Sequence, residues 1–273
     1  MSKQTRNKRI TPVDIRKCKG ADPVVCLTAY TYPVAQKADP HVDLLLVGDS
    51  LGVVIYGLAN TLGVTIEMMV RHTQAVVRAS KRACVVSDMP FGTYEASKEM
   101  AFASAWRLIG EGQAQAIKLE GGRAMAPTVD FLSKRSIPVM GHVGMTPQAV
   151  NQLGGFAPRG MDDKEAQLIL DDAMAIADAG AFALVVEAVS DELGAAITEA
   201  ISIPVIGIGA GMNCDGQILV TDDMLGLFDD FQPRFVRRFA TIGDEMNRAF
   251  QDYAQAVRSR SFPDKKEVYH KKS

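Results

Sequence analysis

Eight short apolar runs rich in β-branched residues recur along the chain, each followed by small or polar residues and then by a stretch with helical periodicity. The runs lie at 23–29 (PVVCLTA), 43–47 (DLLLV), 83–87 (ACVVS), 115–119 (QAIKL), 137–141 (IPVMG), 182–186 (FALVV), 203–207 (IPVIG) and 217–220 (QILV). Helical segments are predicted at 65–81, 94–111, 124–134, 162–179 and 191–200, the last two opening on acidic residues that suit a helix N-terminus. The runs are continuous rather than alternating, which implies strands buried on both faces, as in a parallel sheet covered by helices. Eight such units predict an α/β fold, a (β/α)8 barrel, with an N-terminal helix and a C-terminal helical extension.

A chain of 273 residues is long enough to bury a core of that size, and one barrel domain over 1–273 is expected. Its core is placed at 23–230 and its C-terminal helices at 233–262, with flexible tails at both ends. Two segments stand apart. The stretch 48–64, GDSLGVVIYGLANTLGV, is long for a strand-to-helix loop and is expected to shape or cover a site. After 233, Phe235, Phe239, Ile242, Met246 and Phe250 form a rough apolar stripe, expected to pack on the barrel or on a neighbouring subunit.

The partner is expected to be a small molecule. A formal net charge of −2 leaves no electrostatic footprint for nucleic acid or an anionic membrane, and the basic residues near the two ends read as solvated tails. Cys18, Cys26, Cys84 and Cys214 are scattered without C-x-x-C pairing, so neither a disulfide framework nor a zinc site is expected. No apolar run approaches the roughly 18 residues of a membrane span, and the polar N-terminus lacks the apolar region of a signal peptide. The expected location is cytoplasmic.

In a barrel of this kind the active site forms at the C-terminal ends of the strands. Those ends carry Asp49 (VGDS), Asp88 (VVSDMPFG), Glu120 (IKLEGG), His142 (VMGHVG), Glu187 (LVVEAV) and the glycine run GIGAG at 207–211. A single acid after a strand is ordinarily a turn or N-cap residue, and a single histidine is ordinarily hydrogen-bonded structure. Together they point further, because clustered carboxylates repel unless a cation or shared protons relieve them. Asp49, Asp88 and Glu120, without a nearby cysteine, suit a hard cation such as Mg2+ that keeps waters and takes oxygens from substrate. Glu187, beside another apolar run, is a candidate general base. Lys118 shares a side with Glu120 and has three open roles: holding a substrate carboxylate, forming a Schiff base, or pairing with the acids. GIGAG offers backbone N–H groups to an anion or gives steric clearance. A metal with one carboxylate base suits proton abstraction beside the carbonyl of a chelating 2-oxo acid.

These blocks strongly resemble the ketopantoate hydroxymethyltransferase (3-methyl-2-oxobutanoate hydroxymethyltransferase) family. The resemblance rests on LTAY (27–30), LLVGDSLG (45–52), TLGVTIEMMVRHT (61–73), SDMPFG (87–92), KLEGG (118–122), IPVMGHVGMTPQAVNQLGGF (137–156), LVVEAV (184–189) and IPVIGIGAGMNCDGQILVTDDMLGL (203–227), in order over most of the chain. It implies a (β/α)8 barrel with one Mg2+ on Asp49, Asp88 and Glu120. Asp49, Ser50, Asp88, Lys118 and His142 would then surround a 2-oxo acid, with Glu187 as the base that removes its C3 proton. It also implies 5,10-methylenetetrahydrofolate as co-substrate and a cytoplasmic homodecamer of two pentameric rings. The pattern departs from the family at Thr31 in TAYTY, at GLANT (57–61) and at GGFAPRG (154–160), and none of these touches the metal set or Glu187.

Three other readings fit these residues less well. The phosphoenolpyruvate mutase and isocitrate lyase group also sets Mg2+ and carboxylates in a barrel, but relies on a cysteine in a K-x-C-G-H type loop that this chain lacks. A catalytically silent barrel serving as a binding module would have no need of four mutually repelling acids. A serine hydrolase reading of GDS fails for want of a G-x-S-x-G elbow.

Overall fold

The computed structural model describes residues 9–228 and 232–271. Its eight strands are β1 Val24–Thr28, β2 Leu44–Val47, β3 Cys84–Asp88, β4 Ala116–Lys118, β5 Val139–Gly144, β6 Ala183–Glu187, β7 Val205–Ile208 and β8 Gly216–Leu219. Each overlaps one of the eight predicted runs. Every strand pairs in parallel with the next, and β8 pairs with β1 to close a barrel. The fold is the (β/α)8 barrel that the run spacing predicts.

Burial on both faces holds along β2 to β7 but not at the closing pair. Val25 of β1 is 48 % exposed, and its register partner on β8 is Gln217, also exposed. Gln217 spends its amide on Gly211 O at 2.8 Å, so the polar residue inside an apolar run faces outward. The 217–220 run thus has one wet side, which its single glutamine already marks.

Between the strands lie helices Ile66–Ala79, Lys98–Trp106, Ala126–Ser133, Asp163–Asp178 and Asp191–Ala200. Each of the five falls within a predicted segment. Their starts are set by side chains that satisfy the first free N–H groups. Thr65, Ser97, Asp162 and Ser190 each accept from an amide two or three residues ahead. The N-terminal helix is one turn and a half, Pro12–Arg16, closed by reciprocal bonds between Thr11 and Asp14. A further helix, Tyr32–Ala38, has no counterpart among the predicted segments.

Helix Asp191–Ala200 sits tight on the loop after β7: a methyl added at Gly194 would lie 2.0 Å from Ala210 O. Contacts divide the chain into two units, one ending at Thr221 and holding all eight strands, the other beginning at Asp222. In the second unit a short helix, Thr221–Met224, runs in from the end of the first, and the long helix is Ile242–Arg258. Just before it and in its first turn, Phe239 N, Ile242 N and Gly243 N donate to Met224 O, Leu225 O and Gly226 O. This corrects the helix predicted from 233, and Phe235 and Phe239 stand outside it. Ile242, Met246, Phe250, Tyr253 and Val257 of the helix are all exposed in the single chain. The basic stretch 1–8, residues 229–231 and the last two residues lie outside the described residues. No helix among the described residues is long and apolar enough to cross a membrane, and all four cysteines are free thiols.

Candidate active site

β2 runs from four buried aliphatic residues into Gly48, where clearance rather than an unusual backbone angle is at stake. A methyl there would stand 2.7 Å from Ser50 Oγ and 3.6 Å from Asp88 Oδ2. Asp49 follows, and its N–H donates to Asp88 Oδ2 at 3.0 Å, tying the end of β2 to the end of β3. Ser50 Oγ lies 2.8 Å from Tyr30 Oη. Asp88 and Lys118 are the last residues of β3 and β4 and are register partners. Glu120 lies two residues beyond β4, between amides that continue the ladder: Leu119 N donates to Met140 O and Gly121 N to His142 O. His142 lies within β5, and Glu187 ends β6 opposite Gly144.

All seven of these side chains line one cavity of about 100 Å³ at the C-terminal mouth of the barrel. Its lining also includes the aliphatic Leu46, Val185, Ile208, Ile218, Leu219 and Val220. Ser50 and Thr61 both reach it from the long 48–64 segment, which therefore shapes the site as expected. From the GIGAG run only Ile208 lines the cavity. Its glycines give clearance, since a methyl at Gly211 would meet Asp191 Oδ1 at 1.7 Å and one at Gly207 would meet Cys214 Sγ at 2.9 Å.

Four carboxylates face two basic groups. Lys118 Nζ lies 3.0 Å from Asp88 Oδ1 and 3.2 Å from His142 Nδ1. His142 Nδ1 is 3.4 Å from Glu120 Oε1, and its Nε2 is 3.1 Å from Glu187 Oε2. The Asp88 Oδ1 and His142 Nε2 contacts are ion-pair distances without hydrogen-bond alignment, so both atoms are buried without a full partner. Burial, and then Asp88 and Glu120, push the Asp49 carboxyl up to about 8. Burial also raises Asp88, against the pull of Lys118. Burial acts the same way on Glu120, but His142 and Lys118 outweigh it and leave that group lowered. Lys118 pays for burial as well, yet Asp88, Glu120 and Asp49 hold it above its ordinary value. It is an ammonium paired with acids, which disfavours the Schiff-base role. Burial and Lys118 push His142 down while Glu120 and Glu187 lift it, and the balance is about 9.

Glu187 differs from the other acids in access: its side chain is 14 % exposed, against 3 % for Asp88 and 4 % for Glu120. The chain is held firmly around it. Ala188 takes a left-handed conformation with φ 49°, a strained choice for a residue with a Cβ. Its N–H donates to Ile208 O and its carbonyl accepts from Arg159 N, both at 2.8 Å. Gly144 leaves room for Glu187 O, which a methyl would meet at 2.4 Å.

The three predicted metal ligands share a pattern. One oxygen of each accepts an uncharged N–H: Asp49 Oδ2 from Gln148 Nε2 at 2.8 Å, Asp88 Oδ2 from Asp49 N at 3.0 Å, and Glu120 Oε2 from Gln148 N at 3.0 Å. The donor set is hard oxygen, and Asp88 Oδ1 is a buried acceptor with no hydrogen bond, so the residues suit Mg2+ in kind. Among the described residues no three His, Cys, Asp or Glu groups enclose an ion by themselves. Sequence reasoning missed Gln148, Tyr94 and Thr61. Thr61 Oγ1 is buried at the cavity with no hydrogen-bond partner. The signals were TPQ at 146–148 and the threonine closing GLANT, neither of which ends an apolar run.

Comparison with known proteins bears on the family rather than on single residues. The chain is 56 % identical over 264 residues to 3-methyl-2-oxobutanoate hydroxymethyltransferase of Paracoccus denitrificans (strain Pd 1222), covering 97 % of this chain and 96 % of that one. It is 55 % identical over 269 residues to the protein of the same name from Brucella suis biovar 1 (strain 1330), covering 98 % of each. Among solved structures, phosphonopyruvate hydrolase in complex with oxalate and Mg2+ shares the fold at TM-score 0.60 and 12 % identity, over 94 % of this chain and 93 % of that one. The fold is shared too by 2,3-dimethylmalate lyase, a member of the phosphoenolpyruvate mutase and isocitrate lyase superfamily, at TM-score 0.60 and 15 % identity, over 96 % and 89 %. These lyase-type barrels are alike in fold alone, whereas the profile of ketopantoate hydroxymethyltransferase matches residues 9–265. With more than half of its residues identical to named members over nearly its whole length, this chain belongs to the ketopantoate hydroxymethyltransferase family, a family of transferases.

Proposed function

We propose that this chain transfers a hydroxymethyl group from 5,10-methylenetetrahydrofolate to 3-methyl-2-oxobutanoate, giving 2-dehydropantoate and tetrahydrofolate, the first committed step of pantothenate synthesis. The observation that carries this reading is the meeting of Glu187 with Asp49, Asp88, Glu120, Lys118 and His142 in one small cavity. That cavity is lined by charged and by aliphatic side chains, which matches a 2-oxo acid with a branched hydrocarbon end. Bound Mg2+ would be held by Asp49, Asp88 and Glu120 and would supply a chelating positive charge for the carboxylate and keto oxygens.

The protein's own groups do the rest. The Lys118 ammonium and the Ser50 hydroxyl face the acid's polar end, and Val185, Ile208 and Ile218 line the side suited to its isopropyl group. Glu187, the most accessible of the acids, takes the C3 proton. His142 Nε2, 3.1 Å from Glu187 Oε2, holds that carboxylate in place. One water hydrolyses the methylene bridge of the folate, leaving its oxygen on the one-carbon unit and its two hydrogens on the folate nitrogens as tetrahydrofolate leaves; the carbon freed of its proton bonds to that one-carbon unit, whose oxygen takes up the proton held by Glu187. A cytoplasmic homodecamer belongs to the same reading, supported by the four free thiols and the exposed stripe on Ile242–Arg258.

The test is exchange of the C3 proton of 3-methyl-2-oxobutanoate for deuterium with Mg2+ and without folate, followed by NMR. The chain is expected to catalyse exchange, and Glu187→Gln to lose at least a hundredfold of it, the usual scale of general base catalysis at about 10²–10⁴. Exchange no faster than in the Glu187→Gln variant sinks the base assignment. Exchange without subsequent hydroxymethyl transfer sinks the folate half.

A further inference from the structure

Gln148 is a buried neutral side chain, 5 % exposed, with no place in the chemistry above, yet it bonds to two of the site's carboxylates. It sits in the turn Pro147–Ala149 that follows β5. Both hydrogens of its amide are used, one on Asp49 Oδ2 at 2.8 Å and one on Met89 O at 2.9 Å. Its Oε1 accepts from Tyr94 Oη at 2.6 Å. Its backbone N–H goes to Glu120 Oε2 at 3.0 Å. Tyr94 Oη in turn accepts from Glu120 N at 3.2 Å, so its own hydrogen is free for Gln148.

The direction of this network is not arbitrary. Met89 O can only accept, so the amide nitrogen must face it and Asp49. The flipped amide would set its oxygen 2.8 Å from Asp49 Oδ2 and 2.9 Å from Met89 O, two acceptors against a third. Tyr94 holds the other end by donating to Oε1. One residue therefore ties together the loops after β2, β3, β4 and β5, and it fixes one oxygen on each of two carboxylates.

We propose that Gln148 is the positioning residue for the cation site, orienting Asp49 through its side chain and Glu120 through its backbone, with Tyr94 locking the amide. This rests on Asp49 and Glu120 being metal ligands. Groups hydrogen-bonded to metal ligands typically contribute tenfold to a hundredfold in metal affinity. Gln148→Met keeps the volume and the backbone N–H but removes the amide. Tyr94→Phe keeps the amide but releases its lock.

The experiment is titration of the intact protein with Mn2+ alone, read by the free-ion EPR signal, beside the melting temperature of the metal-free protein. Gln148→Met is expected to weaken Mn2+ binding by tenfold or more, and Tyr94→Phe to weaken it less but in the same direction. Activity of both is expected to recover toward wild type as metal is raised, a change in the metal requirement rather than in kcat. Melting that falls while Mn2+ affinity stays unchanged would show a purely structural role and overturn the proposal. If Gln148→Met does not fold, an unchanged affinity in Tyr94→Phe overturns it equally. Asp49→Ala separates the two levels. Lost binding there with none lost in Gln148→Met refutes the role of Gln148, while retained binding in Asp49→Ala refutes the ligand set and this proposal with it.

Discussion

Asp39 shows how a carboxylate can be as buried as those of the site and do the opposite job. It accepts from Ser80 Oγ and from three successive backbone amides, Lys81, Arg82 and Ala83, at 2.6–3.1 Å, clamping the turn that enters β3. Burial pushes its pKa up, but these donors outweigh burial and leave it lowered. A carboxyl lowered in the folded state adds stability above its unfolded value of about 3.9, and that stability is lost as pH falls through the folded value. Asp39→Asn places an amide NH2 against N–H donors. It is expected to cost about 1–3 kcal/mol at neutral pH and to flatten the acid limb of stability below about pH 4; chemical denaturation at pH 7 and pH 3.5 checks both. The charged residues of the site were legible because each closes an apolar run, where burial makes a charge conspicuous. Gln148 and Tyr94 were not: a neutral polar residue several positions past a strand carries no sign of whether it faces water or a carboxylate.

At the level of elements, the strands were legible because a strand buried on both sides leaves an unbroken apolar run, and β2 is simply Leu44–Val47. Tyr32–Ala38 was hidden because YPVAQKA has a proline at its second position and is too short to show a period. The segment after 233 misled for the converse reason. Its phenylalanines fall at helical spacing while its amides are committed to Met224, Leu225 and Gly226. Packing also reverses an ordinary propensity. Gly to Ala inside a helix usually stabilises by about 1 kcal/mol. Gly194 lies in Asp191–Ala200, where the new methyl would stand 2.0 Å from a backbone oxygen. Gly194→Ala is therefore expected to lower the melting temperature, with an overpacking cost of about 1–3 kcal/mol. A melting temperature at or above wild type would show that the helix can shift off the loop.

For the whole molecule, Ile242, Met246, Phe250, Tyr253 and Val257 form an exposed apolar stripe along one 17-residue helix, the kind of surface that marks an interaction site. If it serves self-association, Phe250→Glu is expected to shift sedimentation toward smaller species while the isolated chain keeps its circular dichroism; an unchanged sedimentation profile removes the stripe from the interface. The seam between β1 and β8 bears on how such a chain comes to exist at all. Val24 to Leu27 find their partners in Gly216 to Leu219, at the far end of the barrel sequence. During synthesis the first strand therefore emerges with one edge unpaired and waits, at about 5–20 residues per second, for roughly ten seconds or more until the last is made. An open strand edge is a template for pairing with other chains. The interval before the barrel closes, more than the finished fold, is when this protein is most exposed to aggregation.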